Sequence, residues 1–443
     1  MTELPEGWAE ASIADIIGPS GLFADGDWVE RKDQDSTGEV RLTQLADVGE
    51  ATWRDRSNRR LTMATAEALR CTFLKRGDVL VARMPDPLGR ACLFPGDPGP
   101  AVTVVDVCVI RPSVTGAAPR WLMWFLNAPR ARFQIEALQS GTTRKRVSRR
   151  NLGTIVLPVP PIGEQERIVA VIEEQFSRPD AAEAGLRGAA RHAEGYSSAV
   201  LSAAVDRTDA NEVRVADLAD FVTDGDHRPP KRVPQGVPHL TAKHIRNGRV
   251  TIDGCTFVSP EGFEQTRRRY EPCAGDVIVT CVGTIGETAV VPEGLTFSAD
   301  RNLAAIRTIP GVDARFVRIA LSAPRLQQTI RNASGSTAQP HLYLRDLREL
   351  VLRLPTLDEQ RSIVAEVERQ LSILDSLSAA IDRALDRSRR LRRAILERAF
   401  TGRLVPQDPA DEPASVLLER IAAERAAEQP TRRVRRRAEM QAT

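Results

Sequence analysis

Apolar or small side chains recur at steps of three and four residues, or at sums of these steps, along two stretches of the chain. Counted from Glu164, the first set is Val169, Ile172, Phe176, Leu186, Ala190, Ala193, Val200 and Ala204. The second set keeps this register 195 residues later and is Val364, Val367, Leu371, Ile381, Leu385, Ser388, Ile395 and Ala399. The spacing is typical of a coiled-coil seam. It predicts two helices of about 40 residues, each roughly 60 Å long.

A single helix with such a seam would leave its apolar stripe in water, so each helix needs a partner. The other copy is the simplest partner, and the two helices are predicted to form an intramolecular antiparallel coiled coil. Pro179 stands on the first seam where the second has Leu374. Because a proline removes a helical hydrogen bond and clashes with the preceding turn, we expect the first helix to bend or break near Arg178. The alternative is that Pro179 begins a new helix.

The segments that precede the two helices repeat as well. "RGDVLVAR" (76–83) matches "AGDVIVTC" (274–281), and "LQSGTT" (138–143) matches "NASGST" (332–337). The matched landmarks occur in the same order at a nearly constant spacing, which predicts a tandem duplication. Short β-type runs that leave turns, followed by helices interrupted near prolines, indicate an α+β domain in each copy.

The predicted fold class is α+β, with two tandem α+β domains separated by two long antiparallel coiled-coil helices. The predicted boundaries, in chain order, are a first domain at 1–158, a first helix at 159–207, a second domain at 208–355, a second helix at 356–404 and a C-terminal tail at 405–443. The tail is expected either to dock or to extend freely. Its basic run "RRVRRR" (432–437) is expected to be a disordered extension that attracts phosphates without sequence preference.

The composition is that of a soluble globular protein, with 42% hydrophobic and 27% charged residues. No apolar run approaches the roughly 20 residues of a membrane span. The segment "MTELPEGWAE" lacks the apolar core of a signal peptide. The six cysteines never form a C-x-x-C pair, which argues against a disulfide framework or a zinc site. We therefore expect a reducing, cytoplasmic location without membrane association.

Motifs of catalysis are missing from the sequence. It contains no P-loop, no G-x-G-x-x-G dinucleotide fingerprint and no G-x-S-x-G nucleophile elbow. His239 and His244 are five residues apart, but the histidines show no established metal-ligand spacing. The triplet "ERK" (30–32) fits the end of a nuclease motif, yet it lacks a convincing acidic partner upstream and is interpreted as a solvated loop. We predict no catalytic residue and no metal site.

Basic loops are a stronger signal than any catalytic motif. The net charge is only +3, but arginine supplies 57 of the 62 positive charges, for which a GC-rich genome is the alternative explanation. Arginine suits bidentate contacts with guanine and phosphate. "SGTTRKRVSRR" (140–150) joins a glycine turn to hydroxyl and basic side chains, which are common phosphate and base contacts. Its counterpart is "SGSTAQPHLYLRD" (334–346), and "DGDHRPPKR" (224–232) is similar. A merely solvated surface is the alternative interpretation.

These loops, together with the turns beside the matched strands, supply the predicted DNA contacts. The candidates are Thr43, Gln44, Arg83, Arg90, Thr142, Thr143, Arg144, Lys145, Arg146, His227, Arg228, Lys231, Thr241, Lys243, Ser336, Thr337, Gln339 and His341. The second copy keeps the landmarks of the scaffold and changes the loop side chains. The two copies are therefore expected to bind related targets that differ in detail.

Several motifs, in a fixed order, resemble one known family. They are "LPEGW" (4–8), "LPVPPIGEQERIV" (157–169), "LPTLDEQRSIV" (354–364), "RRAILERAFTGRLV" (392–405) and "EPASVLLERIAAERA" (412–426). Along nearly the whole chain they resemble the specificity subunit of type I restriction-modification systems. Pro179, inside the first helix, departs from the family's pattern.

This resemblance implies two target-recognition domains, each of which reads one half of a bipartite, asymmetric site in double-stranded DNA, and no catalytic centre. It also implies assembly with two methylation subunits and with restriction motor-nuclease subunits. The assembled complex would methylate adenine and cleave DNA with ATP. S-adenosylmethionine, ATP and Mg²⁺ would then be bound by the partner subunits and not by this chain.

Two other classes of protein stay open at this stage. An enzyme that cuts or methylates DNA alone would be active as the isolated chain. A coiled-coil scaffold without DNA affinity would show no salt-dependent binding to random duplex. In the tail, Leu417, Leu418 and Ile421 are candidate contacts for the methylation subunit, and docking on the chain's own first domain is the alternative.

Overall fold

The chain folds as two compact units. The first unit joins Met1–Ala184 to Leu385–Thr443, and the second unit is Gly185–Ala384. The computed structural model describes residues 4–85, 87–141, 144–206, 210–228, 230–335 and 340–441, with the backbone alone over 428–441.

The first unit contains these strands and helices among its described residues. The strands are β1 (Ala9–Ser12), β2 (Leu22–Asp25), β3 (Val40–Thr43), β4 (Arg60–Leu61), β5 (Val79–Ala82), β6 (Ala91–Leu93), β7 (Ala101–Thr103), β8 (Val107–Arg111) and β9 (Val156–Val159). The helices are α1 (Ile13–Ile16), α2 (Met63–Ala68), α3 (Pro119–Asn127), α4 (Pro129–Ala137) and α5 (Arg149–Gly153). A long helix, α6 (Ile162–Asp206), begins in this unit and ends in the second.

The core of the first unit is built on both faces of an antiparallel sheet of order β2-β8-β5-β6. Side chains alternate between the two faces of a strand. Val79 and Val81 of β5 accordingly join the core that contains Trp121 of α3, whereas Leu80 and Ala82 join a separate apolar cluster. A second sheet has the order β4-β3-β7, with β3 and β7 parallel, and β1 pairs with β9.

The second unit contains a second series of strands and helices among its described residues. The strands are β10 (Asn211–Arg214), β11 (Ala219–Asp224), β12 (Arg232–Val233), β13 (Val237–Leu240), β14 (Ile245–Arg246), β15 (Arg249–Val250), β16 (Thr256–Val258), β17 (Val277–Thr280), β18 (Thr288–Val290), β19 (Ser298–Ala299), β20 (Leu303–Thr308) and β21 (Val351–Leu354). The helices are α7 (Pro260–Arg267), α8 (Ala314–Ser322), α9 (Pro324–Ala333) and α10 (Leu344–Arg348). A long helix, α11 (Leu357–Ala399), follows, and the chain ends with α12 (Ala414–Gln441).

The sheets of the second unit repeat those of the first. The order β11-β20-β17-β18 corresponds to β2-β8-β5-β6, the sheet β12-β16-β13-β19 contains the parallel pair β13–β19, and β10 pairs with β21. In each of the two corresponding sheets, a buried aspartate just before one strand binds an arginine of the neighbouring strand, Asp78 to Arg111 and Asp276 to Arg307. The two units are therefore two copies of one α+β domain, to which the second adds the hairpin β14–β15.

Within the first unit, the start of α6 pairs with the end of α11. Ile172 lies in the same core as Ala399, and Ser388 Oγ donates a hydrogen bond of 2.6 Å to Glu183 Oε1. A residue further along α6 therefore contacts a residue earlier in α11, which shows that the two helices are antiparallel here.

Within the second unit, the end of α6 pairs with the start of α11 in the same sense. Ala204 lies in the same core as Val364, and Tyr196 Oη lies 3.5 Å from Gln370 Oε1. Every predicted seam position on both helices is buried or half-buried. The prediction of two long antiparallel helices is therefore confirmed.

Pro179 does not interrupt α6, which is helical from Ile162 to Asp206. The expected break near Arg178 and the alternative of a new helix at Pro179 are both wrong. An ion-pair cluster just after the proline holds the two helices together, because Arg392 binds both Asp180 and Glu183. The expected bend near Arg178 stays a prediction.

A buried glutamine attaches each long helix to its own domain. Gln165 Oε1 accepts a hydrogen bond of 3.0 Å from the backbone N–H of Ala118, the residue that precedes α3, and Gln165 Nε2 donates to Pro160 O. In the second unit, Gln360 Oε1 accepts a hydrogen bond of 2.7 Å from the N–H of Asp313, the residue that precedes α8. The repeated "EQ" pair of the sequence therefore links the helix start to the domain core.

The C-terminal tail docks on the first unit. Leu417 and Ile421 are buried in the core of that unit, and Leu418 packs against it. These three side chains therefore dock on the chain's own first domain, which was the alternative to binding the methylation subunit. Arg425 Nη2 donates a hydrogen bond of 2.8 Å to Ala14 O on α1. The basic run 432–437 lies within α12, so the expectation of a disordered extension is wrong for its backbone.

We predict that Gln360→Ala lowers the free energy of unfolding by about 1–3 kcal/mol, because the Asp313 N–H would lose its acceptor in a half-buried place. Urea denaturation followed by circular dichroism measures the change. Gln328→Ala, at an exposed position of α9, is the matched control and should change the stability by less than about 0.5 kcal/mol. Equal stability of the two variants would contradict the role given to Gln360.

We also predict that Pro179→Leu raises the melting temperature. The substitution restores a backbone hydrogen bond to a helix interior where proline costs about 3 kcal/mol, and it provides the apolar side chain that Leu374 has in the other helix. Differential scanning calorimetry compares the variant with the parent, and Arg178→Leu, one residue away and exposed, is the control. A variant that melts with the parent would show that the proline costs this helix nothing.

Candidate nucleic-acid interface

The basic loop of the first unit is closed at its base by backbone hydrogen bonds. Ser140 and Arg146 exchange two N–H···O bonds, each 2.9 Å long. The next residue, Val147, donates its N–H to Arg83 O over 3.1 Å, and Arg83 Nε donates to Val147 O over 3.0 Å. The loop is therefore fixed to the end of β5, where Arg83 lies.

Arg83 and Arg149 join this loop to the end of β2. Arg83 Nη1 lies 2.7 Å from Asp25 Oδ1, and Arg149 Nε lies 3.5 Å from Asp25 Oδ2. Arg149 Nη1 also donates a hydrogen bond of 2.6 Å to Phe23 O. Arg83 therefore braces the loop and has its charge compensated, although the sequence predicted it as a DNA contact.

The positive charges at the tip of the loop face solvent. Arg144, Lys145 and Arg146 are exposed, and none of them forms an ion pair within the part of the chain that the structure describes. Such side chains are available to bind phosphate oxygens or base edges. The predicted contacts Thr142 and Thr143 lie outside the described residues.

The turn that follows β2 stands beside the loop. Asp27 donates its N–H to Thr103 O over 2.7 Å, and Arg83 Nη1 donates to Val105 O in the same connection between β7 and β8. Trp28, the next residue of the turn, is 70% exposed. Sequence reasoning missed it, although "DGD" occurs at both 25–27 and 224–226 and places Trp28 at the position that His227 has in the second copy.

The second unit builds the same framework with other side chains. His341 donates its N–H to Ser334 O over 3.1 Å, and Leu342 donates its N–H to Cys281 O over 3.0 Å. Cys281 thus takes the place of Arg83, and burial raises the pKa of its thiol to about 12, so it is uncharged at neutral pH. The predicted contacts Ser336, Thr337 and Gln339 lie outside the described residues.

The turn after β11 carries exposed basic side chains in the second unit. Asp224 accepts hydrogen bonds from Arg269, and its Oδ2 lies 2.9 Å from His227 Nε2. Arg228 and Lys231 are exposed. Of the predicted contacts in this unit, His227, Arg228 and Lys231 are therefore close together in the chain after β11. His341 lies in another loop, at the point where that loop is closed by a backbone hydrogen bond.

Two predicted DNA contacts of the first unit are wrong, because the fold buries them. Thr43 has no exposed surface within β3. Arg90 is only 4% exposed, and its guanidinium donates hydrogen bonds to the carbonyl oxygens of Val48 and Leu45. The Arg90 side chain therefore links parts of the interior and is not available to DNA. Gln44 is half-buried and caps the turn Leu45–Asp47 through its backbone N–H.

Equivalent positions of the second unit also have structural partners. Thr241 donates its N–H to His244 Nδ1 over 2.9 Å, and exposed Lys243 donates to Gly254 O over 3.1 Å. His239 is buried with Nδ1 at 3.0 Å from Ser298 Oγ. Among the described residues, no three His, Cys, Asp or Glu side chains are grouped as a metal site would require.

A membrane-spanning helix is not found either, since no helix in the described portion combines sufficient length with sufficient apolar character.

The fold and these loops define a class of protein in which an α+β domain is duplicated, equivalent loops of the two copies differ in their side chains, and two long helices pair within each unit. Residues 208–384 match the family model described as the type I restriction modification DNA specificity domain. The chain is 28% identical to the type I restriction enzyme EcoBI specificity subunit of Escherichia coli over 334 residues, which is 66% of this chain and 69% of the relative.

Two further comparisons agree with that match. The type I restriction enzyme EcoDI specificity subunit of Escherichia coli is 35% identical over 228 residues, 48% of each chain. A solved structure described as the structural basis of complex assembly and conformational transition of the type I R-M system has a TM-score of 0.69 at 21% identity, covering 91% of this chain and all of that one. The chain is therefore similar to type I restriction-modification specificity subunits, and residues 208–384 match the domain model of that family.

We predict that replacing Arg144, Lys145 and Arg146 together with alanine weakens binding to duplex DNA. The slope of log affinity against log salt should fall by roughly one for each phosphate group that the variant no longer binds. Fluorescence anisotropy at several salt concentrations measures both effects. The matched control replaces Arg70, Lys75 and Arg76, which are also exposed but precede β5, at the end of the strand opposite to Arg83. Equal slopes for the two triple variants would show that the basic loop faces away from DNA.

Proposed function

We propose that this chain is the DNA-recognition subunit of a type I restriction-modification complex, and that it reads a bipartite, asymmetric site with one domain on each half. The observation that supports this proposal is the pair of equivalent loops. In both, the loop is closed by an equivalent backbone hydrogen bond, donated by the N–H of Arg146 to Ser140 O in one copy and by the N–H of His341 to Ser334 O in the other. An equivalent framework with different side chains suits two different base sequences.

The helical pair provides the spacing between the two halves of the site. If both domains read the same face of the duplex, the centres of the half-sites should be about one helical turn apart, roughly 34–36 Å. The gap between the halves should tolerate any base, because no recognition loop reaches it in this proposal.

Catalysis belongs to the partners in this proposal. Two methylation subunits would bind S-adenosylmethionine and modify adenine, and restriction motor-nuclease subunits would use ATP and Mg²⁺ to translocate and cut DNA. This chain would bring them to the site as a non-catalytic subunit in the cytoplasm. The similarity to type I specificity subunits supports this assignment of catalysis to the partners, and so does the lack of catalytic motifs in the sequence.

Methylation mapping of the host DNA tests the proposal. We predict a motif with two specified parts that differ from each other, separated by a gap of fixed length. A continuous motif or a perfect palindrome would contradict it.

Assays on the isolated chain distinguish the proposed function from the two other classes of protein, a single-chain enzyme and a scaffold without DNA affinity. The proposal expects salt-dependent binding to duplex DNA without cleavage or methylation. Cleavage or methylation by the purified chain would identify a single-chain enzyme. A complete lack of affinity for duplex DNA, with the fold intact, would identify a scaffold.

A further inference from the structure

One residue follows the "DGD" turn in each copy, and the two copies hold it in the same place. In the first copy it is Trp28, and in the second it is His227. The turn is rigid because its glycine lies against the backbone of a distant strand connection. A Cβ atom on Gly26 would lie 2.2 Å from Val104 O, and a Cβ atom on Gly225 would lie 2.2 Å from Ala299 O.

The turns are also fixed by equivalent backbone contacts. Asp27 forms a parallel bridge with Val104, and Asp226 forms one with Asp300. At the start of each turn, Asp25 and Asp224 bind arginine side chains, which in the first copy include Arg83 at the base of the basic loop. Backbone contacts of the turn, and not the side chain of the residue after it, therefore set the position of that residue. The position lies beside the candidate interface.

Trp28 presents an apolar surface there. Its indole Nε1 donates a hydrogen bond of 3.1 Å to Glu30 Oε1, so its polar atom already has a partner. Hydrogen bonds from Lys32 and then from Trp28 lower the pKa of Glu30, which keeps this acceptor ionised. The rest of the ring is exposed to water, where an apolar surface of this size is unfavourable. In the major groove, the C5 methyl group of thymine is the apolar partner that a base pair provides.

His227 presents a polar edge in the same place. Its Nε2 lies 2.9 Å from Asp224 Oδ2 and 3.3 Å from Arg269 Nη2. These contacts orient the imidazole and leave Nδ1 as the ring atom that can reach a hydrogen-bonding group on a base. The two copies thus carry chemically opposite side chains in one structural position.

We propose that Trp28 and His227 are equivalent base-reading residues of the two half-sites, and that Trp28 reads a thymine through its methyl group. This inference rests on the proposed function and adds to it one specificity position in each domain. It also explains why the framework of the turn is the same in both copies while the residue after it differs.

The test uses the full chain assembled with its methylation subunits. Methylated positions on genomic DNA are mapped for the parent, for Trp28→His and for His227→Trp. We expect each substitution to change the base preference at one position, in one half of the motif, with the other half unchanged. Phe133→Ala, which removes another exposed aromatic side chain from the first unit, should leave the motif as it is.

Duplexes of the mapped site then test the methyl contact directly. Each thymine is replaced singly by deoxyuridine, which lacks the methyl group. One replacement should weaken binding of the parent roughly fourfold, the effect expected from one buried methyl group, and should have no effect on Trp28→Ala. Melting curves show whether Trp28→Ala and Trp28→His fold, and Trp28→Phe provides a second variant that keeps an apolar ring.

The results separate this inference from the proposed function. A bipartite parent motif that neither exchange alters, or that both exchanges alter in the same half, would overturn the inference and leave the proposed function in place. A Trp28→Ala variant that loses its methylation subunits but keeps its DNA preference would assign Trp28 to a protein contact and overturn it too. A parent without a bipartite motif would overturn the proposed function itself.

Discussion

Each long helix begins with a buried glutamine whose side-chain amide ties it to the domain in front of it. The amide oxygen of Gln165 accepts from the first residue of the α3 turn, and that of Gln360 accepts from the equivalent residue before α8. Both amide nitrogens donate back to a carbonyl oxygen just before the helix. An unpaired amide at a buried place is costly, so this pattern holds domain and helix in one geometry. The two glutamines therefore hold the start of each long helix against its own domain.

The two copies share the backbone contacts of the domain and differ in the side chains of its loops. Backbone contacts close the candidate interface loops in both copies, and these contacts tolerate any side chain. The side chains of the closing residues are therefore free to differ, as those of Arg146 and His341 do. Where a side chain is part of the framework, it changes with its surroundings. Arg83 is compensated by Asp25, whereas buried, uncharged Cys281 stands in its place in the other copy.

Periodic and repeated features could be predicted from the sequence, and contacts between distant residues could not. The seam period of α6 and α11 and the matched landmarks were sufficient to predict the helices, their pairing and the duplication. Arg90 shows the limit, since it follows a turn and is basic, but its guanidinium also donates to the carbonyl groups of Leu45 and Val48, more than forty residues away in the chain. Trp28 was missed because its exposure is a property of the folded turn, in which Gly26 lies against the backbone of Val104.

Hydrogen exchange of the assembled complex, with and without a duplex that contains its mapped site, tests the central claim most directly. The account predicts that DNA slows exchange in two equivalent sets of peptides, those covering the turn after β2 and the loop 140–150 in the first copy, and those covering the turn after β11 and the loop 334–346 in the second. Peptides from the sheet interiors should exchange as before. Protection confined to one copy, or protection of the helices without these loops, would contradict the account.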